Sequence, residues 1–397
     1  MMYKKLYFLL LSLLLVFSCT AQQTDVDRAF RHAEKQTGIM LNAVEKEKKE
    51  GDGKGISPRN LEPSGKLRLV HSGDWTSGFF PGVLWYLYEY NRDSVWLKNA
   101  ETFTAGIEKE KWNAGTHDMG FKVYCSFGNG YRLTKNRDYR DVIVQSAKTL
   151  IKRFNPAVGA IRSWDHNKDK WKFPVIIDNM MNLELLFAAT EITGDSVFYE
   201  VAVSHANTTL KNHFRKDNSS YHVIGYDPVT GAVEKRNTHQ GYSDGSAWAR
   251  GQAWGLYGYS MCYRETGNKE YLQQADKIAA CILNHPNMPA DLVPYWDFDA
   301  PEIPNEERDV SAAAVIASAL YELSTFSKAG KKYRSAADKI IKSLSTVYTA
   351  PEGGAQGFIL LHSVGSKPSG SEVDVPLVYA DYYYLEALLR KKHLEGK

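Results

Sequence analysis

The sequence lacks most of the features that mark common cofactor and metal sites. Only 4 of its 397 residues are cysteines, and their spacing fits neither a zinc site nor a disulfide framework. It contains no Gly-rich phosphate loop and no helical histidine pair of the zinc-protease type. A net charge of +3, with no basic helical stripe, gives no reason to expect a nucleic-acid partner. We therefore expect no metal, no cofactor and no nucleic acid.

Long apolar runs are also scarce, and the run near the start is too short to span a bilayer stably. It extends from Leu6 to Phe17, follows two lysines and precedes Cys19. This order predicts that residues 1–21 are a signal peptide of the lipoprotein type, with lipid attached at Cys19. A plain secretory signal cleaved near Ala21 is the alternative. Both predict export from the cytoplasm, and we expect a periplasmic location, where a lipidated Cys19 would anchor the protein to the outer membrane.

What the chain does contain is a repeat. Six aspartates are separated by 44, 60, 66, 65 and 65 residues, and each is followed by a run of small and apolar residues at helical spacing: Asp74, Asp118, Asp178, Asp244, Asp309 and Asp374. Most of these runs are followed by a short polar break and a second helical run. A fixed period of helix pairs is typical of architectures in which no unit buries its apolar face alone. We predict an all-α fold, an (α/α)6 barrel of six helical hairpins, as a single catalytic domain over residues 26–392.

The same pattern predicts where the helices lie. Inner helices are expected at 76–90, 119–132, 179–192, 246–264, 310–325 and 375–390. Outer helices are expected at 26–48, 93–109, 138–154, 196–212, 268–284 and 330–346. The connections 155–177 and 213–243 are long enough to be functional loops, and 220–233 has the pattern of a hairpin. Both loops lead into an inner helix, so they should share one rim of the barrel with the aspartates.

Asp118 and Asp178 are the candidate catalytic residues. Aspartate is also a preferred N-cap, so a shared capping role is the alternative for all six repeat aspartates. Asp178 follows an apolar segment, which raises a carboxyl pKa, whereas a helix N-terminus lowers it. A second carboxylate nearby would raise it again, so Asp118 facing Asp178 could leave one of the two protonated near neutrality. Such a pair suits acid–base chemistry on a sugar.

The segment His239–Trp254 places polar, cationic and aromatic groups at the start of one inner helix. In one interpretation Trp248 and Trp254 provide aromatic faces for a sugar while Arg250 donates to its hydroxyls or carboxylate. In the other, Arg250 pairs with a structural aspartate and the tryptophans belong to the core.

Four segments, Trp75–Gly82, His117–Phe121, Ile177–Leu183 and especially His239–Trp254, resemble the unsaturated glucuronyl hydrolases, glycoside hydrolase family 88. The similarity extends over about residues 26–390. The family's fold is an (α/α)6 barrel, which agrees with the repeat counted independently above.

The resemblance implies a specific reaction. Family members remove the 4,5-unsaturated uronic acid that polysaccharide lyases leave at the non-reducing end, by hydrating its vinyl ether. Asp178 would protonate C4 and then deprotonate the water that attacks C5, while Asp118 would stay ionised. The resulting hemiketal opens and expels the aglycone. Substrate-contact roles are implied for His222, Gln240, Trp248, Arg250, Trp254, Trp75 and Ser369.

Ser369 lies in the loop 366–372, which in relatives touches the uronate carboxylate or a sulfate on the next sugar. Some relatives that act on sulfated glycosaminoglycans have a Ser-x-Ser-x-Lys pattern there. Here Glu372 follows Ser371 and the final lysine is missing, although Lys367 lies just before the motif. A preference for sulfated substrates is therefore not predicted.

The sequence is also compatible with other functions. A related unsaturated rhamnogalacturonyl hydrolase is the nearest enzymatic alternative, and a non-catalytic glycan-binding lipoprotein or a sugar epimerase could use the same aromatic rim. The expected partners are unsaturated uronate-terminated oligosaccharides, with membrane contact only through a lipid at Cys19. The chain is expected to be a monomer or a homodimer.

Overall fold

The computed structural model describes residues 25–51 and 53–396, and within them twelve α-helices follow one another in pairs. They are α1 Asp25–Glu50, α2 Phe79–Asn91, α3 Ser94–Ala105, α4 Asn129–Thr134, α5 Arg137–Leu150, α6 Leu183–Thr193, α7 Ser196–Asn212, α8 Ala249–Thr266, α9 Lys269–Leu283, α10 Val310–Leu323, α11 Gly330–Val347 and α12 Val378–Leu394. A π-helix at Gly120–Gly128 runs directly into α4, and a 3-10 helix at Ile177–Asn182 runs into α6. The predicted (α/α)6 barrel is confirmed.

Burial separates an inner ring from an outer one. In α10 thirteen of fourteen residues are buried, and in α8 every residue from Ala249 to Cys262 is buried. A helix that is buried on all sides must be enclosed by other elements. The outer helices α5, α9 and α11 bury one stripe only and turn charged residues outward. The predicted inner and outer helices fall on these two rings, with bounds that differ by a few residues.

The ring closes where the last inner helix meets the first. α12 packs against both α10 and α2. At this seam the ring of Tyr382 lies 5.3 Å from Phe79 and 4.9 Å from Tyr86, and the two tyrosine hydroxyls are 2.9 Å apart. Gly82 allows this approach, because a Cβ there would lie 2.3 Å from the Tyr382 ring. Closure therefore depends on side chains almost three hundred residues apart in sequence.

Short polar breaks set the hairpins. Asp195 and Asn268 accept hydrogen bonds from the second residue of α7 and α9, at Val197 and Glu270. Gly194 and Gly267 end α6 and α8 in the left-handed conformation, with φ of 72° and 67°. These are the residue types that terminate and start helices most readily, and the predicted breaks are confirmed.

Small β-sheets lie at one rim of the barrel. β1 Ser57–Leu61 pairs with β2 Leu67–Val70, and β3 Phe154–Asn155 with β4 Ala160–Ile161. β5 Phe173–Ile176, β6 Val223–Tyr226 and β7 Val233–Asn237 form an antiparallel sheet. The two long connections predicted as functional loops are therefore joined into one structure, and the hairpin predicted at 220–233 is β6 and β7.

The six repeat aspartates do not share one role. Asp309 is an N-cap, accepting from the backbone of Ser311 and Ala312. Asp374 has a φ of 54°, pairs with His362 and lies ahead of α12, which begins three residues later than predicted. A common capping function is therefore wrong.

The predicted signal peptide and Cys19 lie outside the described residues. In the part of the chain that is described, we find no helix both long and apolar enough to cross a bilayer.

Candidate active site

A cavity of about 490 Å³ opens at the rim that carries β3 to β7. Six of the nine residues predicted from the sequence as catalytic or substrate-binding line it: Asp118, Asp178, Gln240, Arg250, Trp75 and Ser369. They come from five different parts of the chain. The other three, His222, Trp248 and Trp254, are buried beneath this surface.

Asp178 lies in the 3-10 helix Ile177–Asn182 and is only 9% exposed. Its pKa is raised to about 7. Burial is the main cause, the charge of Arg250 and the backbone N–H of Asp178 act in the opposite direction, and the Asp118 carboxylate contributes to the increase. Desolvation penalises the charged form of a carboxyl group, which is why burial dominates here. Asp178 therefore holds a proton over much of the acidic and neutral range.

Asp118 is the more solvated of the two carboxylates, with 19% of its side chain exposed. It accepts a hydrogen bond of 2.7 Å from the Thr116 hydroxyl, and its backbone N–H donates back to that oxygen at 3.1 Å. His117 Nε2 lies 3.3 Å from its Oδ1. Burial lowers the pKa of His117, which the Asp118 charge partly offsets. A fixed, hydrogen-bonded carboxylate thus shares the cavity with a buried acid.

The two aspartate-bearing segments are fastened together. The side-chain oxygen of Asn182 accepts from the backbone N–H groups of Gly120 and Phe121, at 2.8 and 3.2 Å. A Cβ at Gly120 would lie 2.7 Å from the Asn182 Cα, so only glycine permits this contact without a backbone shift. The π-helix that follows Asp118 begins at this point, and π-helical turns are frequent at functional sites.

His222 is buried next to the Asp178 carboxyl group. Its Nδ1 accepts hydrogen bonds from the backbone N–H groups of His239 and Gln240, at 3.0 and 3.1 Å. Burial, reinforced by His239 and Arg250, holds the pKa of His222 well below its ordinary value. The neutral ring must therefore carry its proton on Nε2, which lies 3.6 Å from Asp178 Oδ2. That distance is too long for a hydrogen bond, but it places the Nε2–H donor close to the carboxyl group.

Arg250 fits both interpretations given above. It is 1% exposed and donates to Asp309 at 2.7 Å, and also to the carbonyl oxygens of Val364 and Gly365. Its guanidinium carbon lies 4.6 Å from the Trp248 ring centroid. The expected structural pairing with an aspartate is therefore present, and Arg250 still faces the cavity and acts on the pKa of Asp178.

The tryptophans differ in position. Trp75 is half-buried, lines the cavity and packs against Phe121 and Tyr379, with centroid distances of 5.4 and 5.0 Å. The Trp248 and His222 rings pack together with their centroids 4.6 Å apart. Trp254 donates a hydrogen bond that lowers the pKa of Asp178. Trp248 and Trp254 thus support the catalytic groups, whereas Trp75 presents a surface.

The loop 366–372 also contributes to the lining, and the Gln240 side chain donates a hydrogen bond of 3.1 Å to the carbonyl oxygen of Gly365, just before this loop. Ser366, Ser369 and Ser371 line the cavity with hydroxyls. Lys367, which precedes the motif, is not among the lining residues and forms ion pairs with Glu306 and Glu307. The positive charge of Lys367 is therefore paired with protein carboxylates outside the cavity lining.

Several lining residues were not predicted from the sequence. Arg59 joins Asp74 and Glu372, with contacts of 2.8 Å to Asp74 and 2.5 Å to Glu372. Arg59 and Glu372 are 313 residues apart in sequence, so no local pattern could have predicted their contact.

Trp164 and His166 stack with ring centroids 5.3 Å apart at the cavity wall. They lie in the predicted functional loop 155–177, and this aromatic pair next to a Ser and an Asp was the signal that could have identified them.

Over residues 25–51 and 53–396, no group of three or more His, Cys, Asp or Glu side chains is arranged to hold an ion.

Comparison with known proteins places this geometry in a family. A family model described as Glycosyl Hydrolase Family 88 matches residues 59–390. An unsaturated glucuronyl hydrolase of Formosa agariphila is 48% identical over 397 residues, with 98% of this chain and 99% of the relative covered. An unsaturated chondroitin disaccharide hydrolase of Streptococcus pneumoniae is 34% identical, with coverage of 81% and 83%.

Solved structures agree. The crystal structure of an unsaturated glucuronyl hydrolase specific for heparin matches with a TM-score of 0.88 at 48% identity, covering 94% of this chain and 98% of the other. The unsaturated glucuronyl hydrolase of Bacillus sp. GL1 matches with a TM-score of 0.83 at 32% identity, covering 91% and 97%.

Proposed function

Since the chain belongs to glycosyl hydrolase family 88, we propose that the cavity holding Asp118 and Asp178 hydrates the vinyl ether of a terminal unsaturated uronic acid. The chain is a glycosidase with unsaturated glucuronyl hydrolase activity. It removes the 4,5-unsaturated uronic acid from the non-reducing end of oligosaccharides that lyases generate. The observation that carries the proposal is a buried carboxyl group with a pKa of about 7 beside a second carboxylate.

In the proposed reaction Asp178 gives its proton to C4, which leaves positive charge shared by C5 and the ring oxygen. The Asp118 carboxylate, fixed by Thr116, stabilises that charge. Asp178, now ionised, takes a proton from the water that attacks C5, so its proton is restored at the end of the step. The C5 hemiketal then opens and releases the aglycone. C1 is never attacked, so the carboxylate separation carries no stereochemical information.

The surroundings of Asp178 suit a group that must both lose and regain a proton. In its ionised form it gains from the Arg250 charge, from its own backbone N–H and from the Trp254 hydrogen bond. In its protonated form it gains from burial and from the nearby negative charge of Asp118. Opposing influences of this kind hold an acid near the working pH, where it is most effective.

We also propose glycosaminoglycan-derived disaccharides as substrates, because relatives are named for chondroitin disaccharides and for heparin. The hydroxyl-lined loop 366–372, with Lys367 paired to Glu306 and Glu307, favours an adjacent sugar without sulfate at that contact. The alternative activity, hydrolysis of unsaturated rhamnogalacturonyl substrates, gains no support from the relatives, whose names refer to glucuronyl and chondroitin disaccharide substrates.

The test uses the ultraviolet absorbance of the unsaturated uronate. Purified protein should bleach this absorbance on lyase-generated chondroitin or heparin disaccharides, and Asp178→Asn should reduce the rate by at least about 100-fold. The same variant should still bind the disaccharide in calorimetry. Unchanged absorbance with all disaccharides, or bleaching by Asp178→Asn at the wild-type rate, would refute the assignment.

Export is a separate proposal, supported by the order of charged, apolar and cysteine residues before residue 22. Replacing Cys19 by serine should move the protein from the membrane fraction to the soluble periplasmic fraction. A protein that stays in the cytoplasm would contradict it.

A further inference from the structure

Beside the catalytic cavity lies a second recess of about 320 Å³ that the reaction does not use. It is lined by Ala114, Lys152, Arg153, Phe154, Asn155, Arg162, Asp165 and Phe173. Lys152, Arg153 and Arg162 bring three positive charges, and Asp165 is the single acidic residue in the lining. The recess thus has a net charge of +2.

The recess is rigidly built around Arg153, whose side chain is 5% exposed. It donates to the carbonyl oxygens of Arg162 and Ala114, at 2.9 and 2.6 Å, and to Asp165 at 2.7 Å. Its Nη2 is buried with no hydrogen-bond partner among the described residues. A buried guanidinium with donor capacity unused is costly unless further negative charge lies nearby.

Two further cations are reachable from solvent. The Arg162 side chain is 32% exposed, stacks over the Phe173 ring at 4.8 Å and donates to Asp165 at 3.2 Å. Lys152 is exposed. Hydrogen bonds from Arg153 and Arg162, against the opposing effect of burial, hold the pKa of Asp165 below its ordinary value, so this carboxylate stays charged. One carboxylate shared by two guanidinium groups leaves the recess cationic.

The recess and the catalytic cavity share a wall. Ala114 faces the recess, whereas Gly115 and Thr116 face the cavity. A second segment is shared in the same way, because Arg162 and Asp165 line the recess whereas Ser163, Trp164 and His166 line the cavity. The Arg153 charge also lowers the pKa of His117, beside the catalytic Asp118. An oligosaccharide that leaves the cavity over Trp164 and His166 would arrive at Arg162.

We propose that this cationic recess is a distal subsite, which binds a carboxylate or sulfate group on a sugar beyond the one next to the departing uronate. The proposal rests on the function proposed above. It makes the enzyme select longer anionic chains, because planar guanidinium groups pair with carboxylate and sulfate oxygens in two-point geometry. A disaccharide is too short to reach the recess, so it should not depend on these cations.

The test compares kcat/KM on an unsaturated tetrasaccharide and an unsaturated disaccharide of the same polymer. We expect Lys152→Gln/Arg162→Gln to lose about five- to tenfold on the tetrasaccharide and less than about twofold on the disaccharide. Added salt should weaken the wild-type tetrasaccharide reaction more than the disaccharide reaction. Lys148→Gln, at an exposed position on α5, is the matched charge control and should change neither value.

Sulfated and unsulfated tetrasaccharides separate the two sources of the anion. A loss with both would assign the internal uronate carboxylate, and a loss with the sulfated chain alone would assign the sulfate. Equal losses on disaccharide and tetrasaccharide, or no loss on either, would overturn the distal subsite. Lys152→Gln alone removes an exposed side chain and gives a folded reference if the double variant is unstable. A wild-type protein inactive on every disaccharide would instead refute the proposed function.

Discussion

At the scale of single residues, the chemistry of this chain depends on how burial and charge act on one carboxyl group. Asp178 lies in a low-dielectric environment that favours its neutral form, and Arg250 and Trp254 limit the effect. The protein therefore has an acid that is protonated below about pH 7 and that can still ionise during the reaction.

The first prediction concerns the pH dependence of the rate. Because Asp178 must be protonated in the free enzyme, kcat/KM should fall about tenfold per pH unit above pH 7. Asp118→Asn removes a negative charge that raises the Asp178 pKa, so in that variant the alkaline limb should move to lower pH. Initial rates between pH 5 and pH 9 would check both effects. An alkaline limb that stays in place in Asp118→Asn would contradict the coupling.

The second prediction concerns stability. The folded-state pKa of Asp178 lies above its unfolded value near 3.8, so ionisation of this group destabilises the fold as the pH rises toward and through 7. Asp178→Asn should therefore unfold at a higher temperature than the wild type at pH 8, with the difference shrinking as the pH falls toward 4. Calorimetric melting at pH 4.5 and pH 8 measures this. A variant that is less stable at pH 8 would show that the carboxylate makes favourable contacts that outweigh burial.

At the scale of elements, the site depends on contacts between neighbouring inner helices rather than on any single helix. Asn182 binds the first turn of the π-helix, and Arg250 on α8 joins Asp309 at the start of α10 to the carbonyl groups of Val364 and Gly365. Each contact fixes a wall of the cavity relative to the next.

The third prediction tests the Arg250 junction. Arg250→Met leaves Asp309 buried and unpaired, which should cost about 3 to 5 kcal/mol of unfolding free energy. Asp309→Asn in the same chain keeps a capping side chain and removes the lone charge, so the double variant should regain part of that loss. Activity should not return, because Arg250 also faces the substrate cavity. Denaturant unfolding and disaccharide turnover would report the two effects separately, and equal stability of the single and double variants would contradict the pairing.

At the scale of the whole molecule, the barrel is closed by its last helix. α12 joins the ring between α10 and α2, and the aromatic seam of Tyr382, Tyr86 and Phe79 holds it there. Asn129 also donates to the Tyr382 hydroxyl at 3.2 Å. Because no hairpin buries its apolar face alone, we expect unfolding to involve the entire ring.

The fourth prediction follows from this closure. Tyr382→Ala should lower the unfolding free energy by about 3 to 5 kcal/mol, since it removes a buried ring and its hydrogen bonds. Far-ultraviolet circular dichroism and tryptophan fluorescence should still report one common transition. Tyr199→Ala, on outer helix α7 where the ring is 37% exposed, is the control and should cost much less. Two separate transitions in the wild type would argue against a cooperative ring.

The sequence by itself determined the six helical hairpins and their inner and outer order, and its resemblance to a family singled out Asp118 and Asp178 among the six repeat aspartates. The hairpins depend on local signals, namely helical periodicity, capping residues and glycine breaks, which act within a few residues along the chain. The tertiary structure alone decided that Trp248, Trp254 and His222 lie beneath the cavity, that Lys367 pairs with Glu306 and Glu307, and that Arg59 meets Glu372. It also supplied the physical reason why Asp178 can hold a proton, because desolvation and the charges of distant segments arise only when the ring closes.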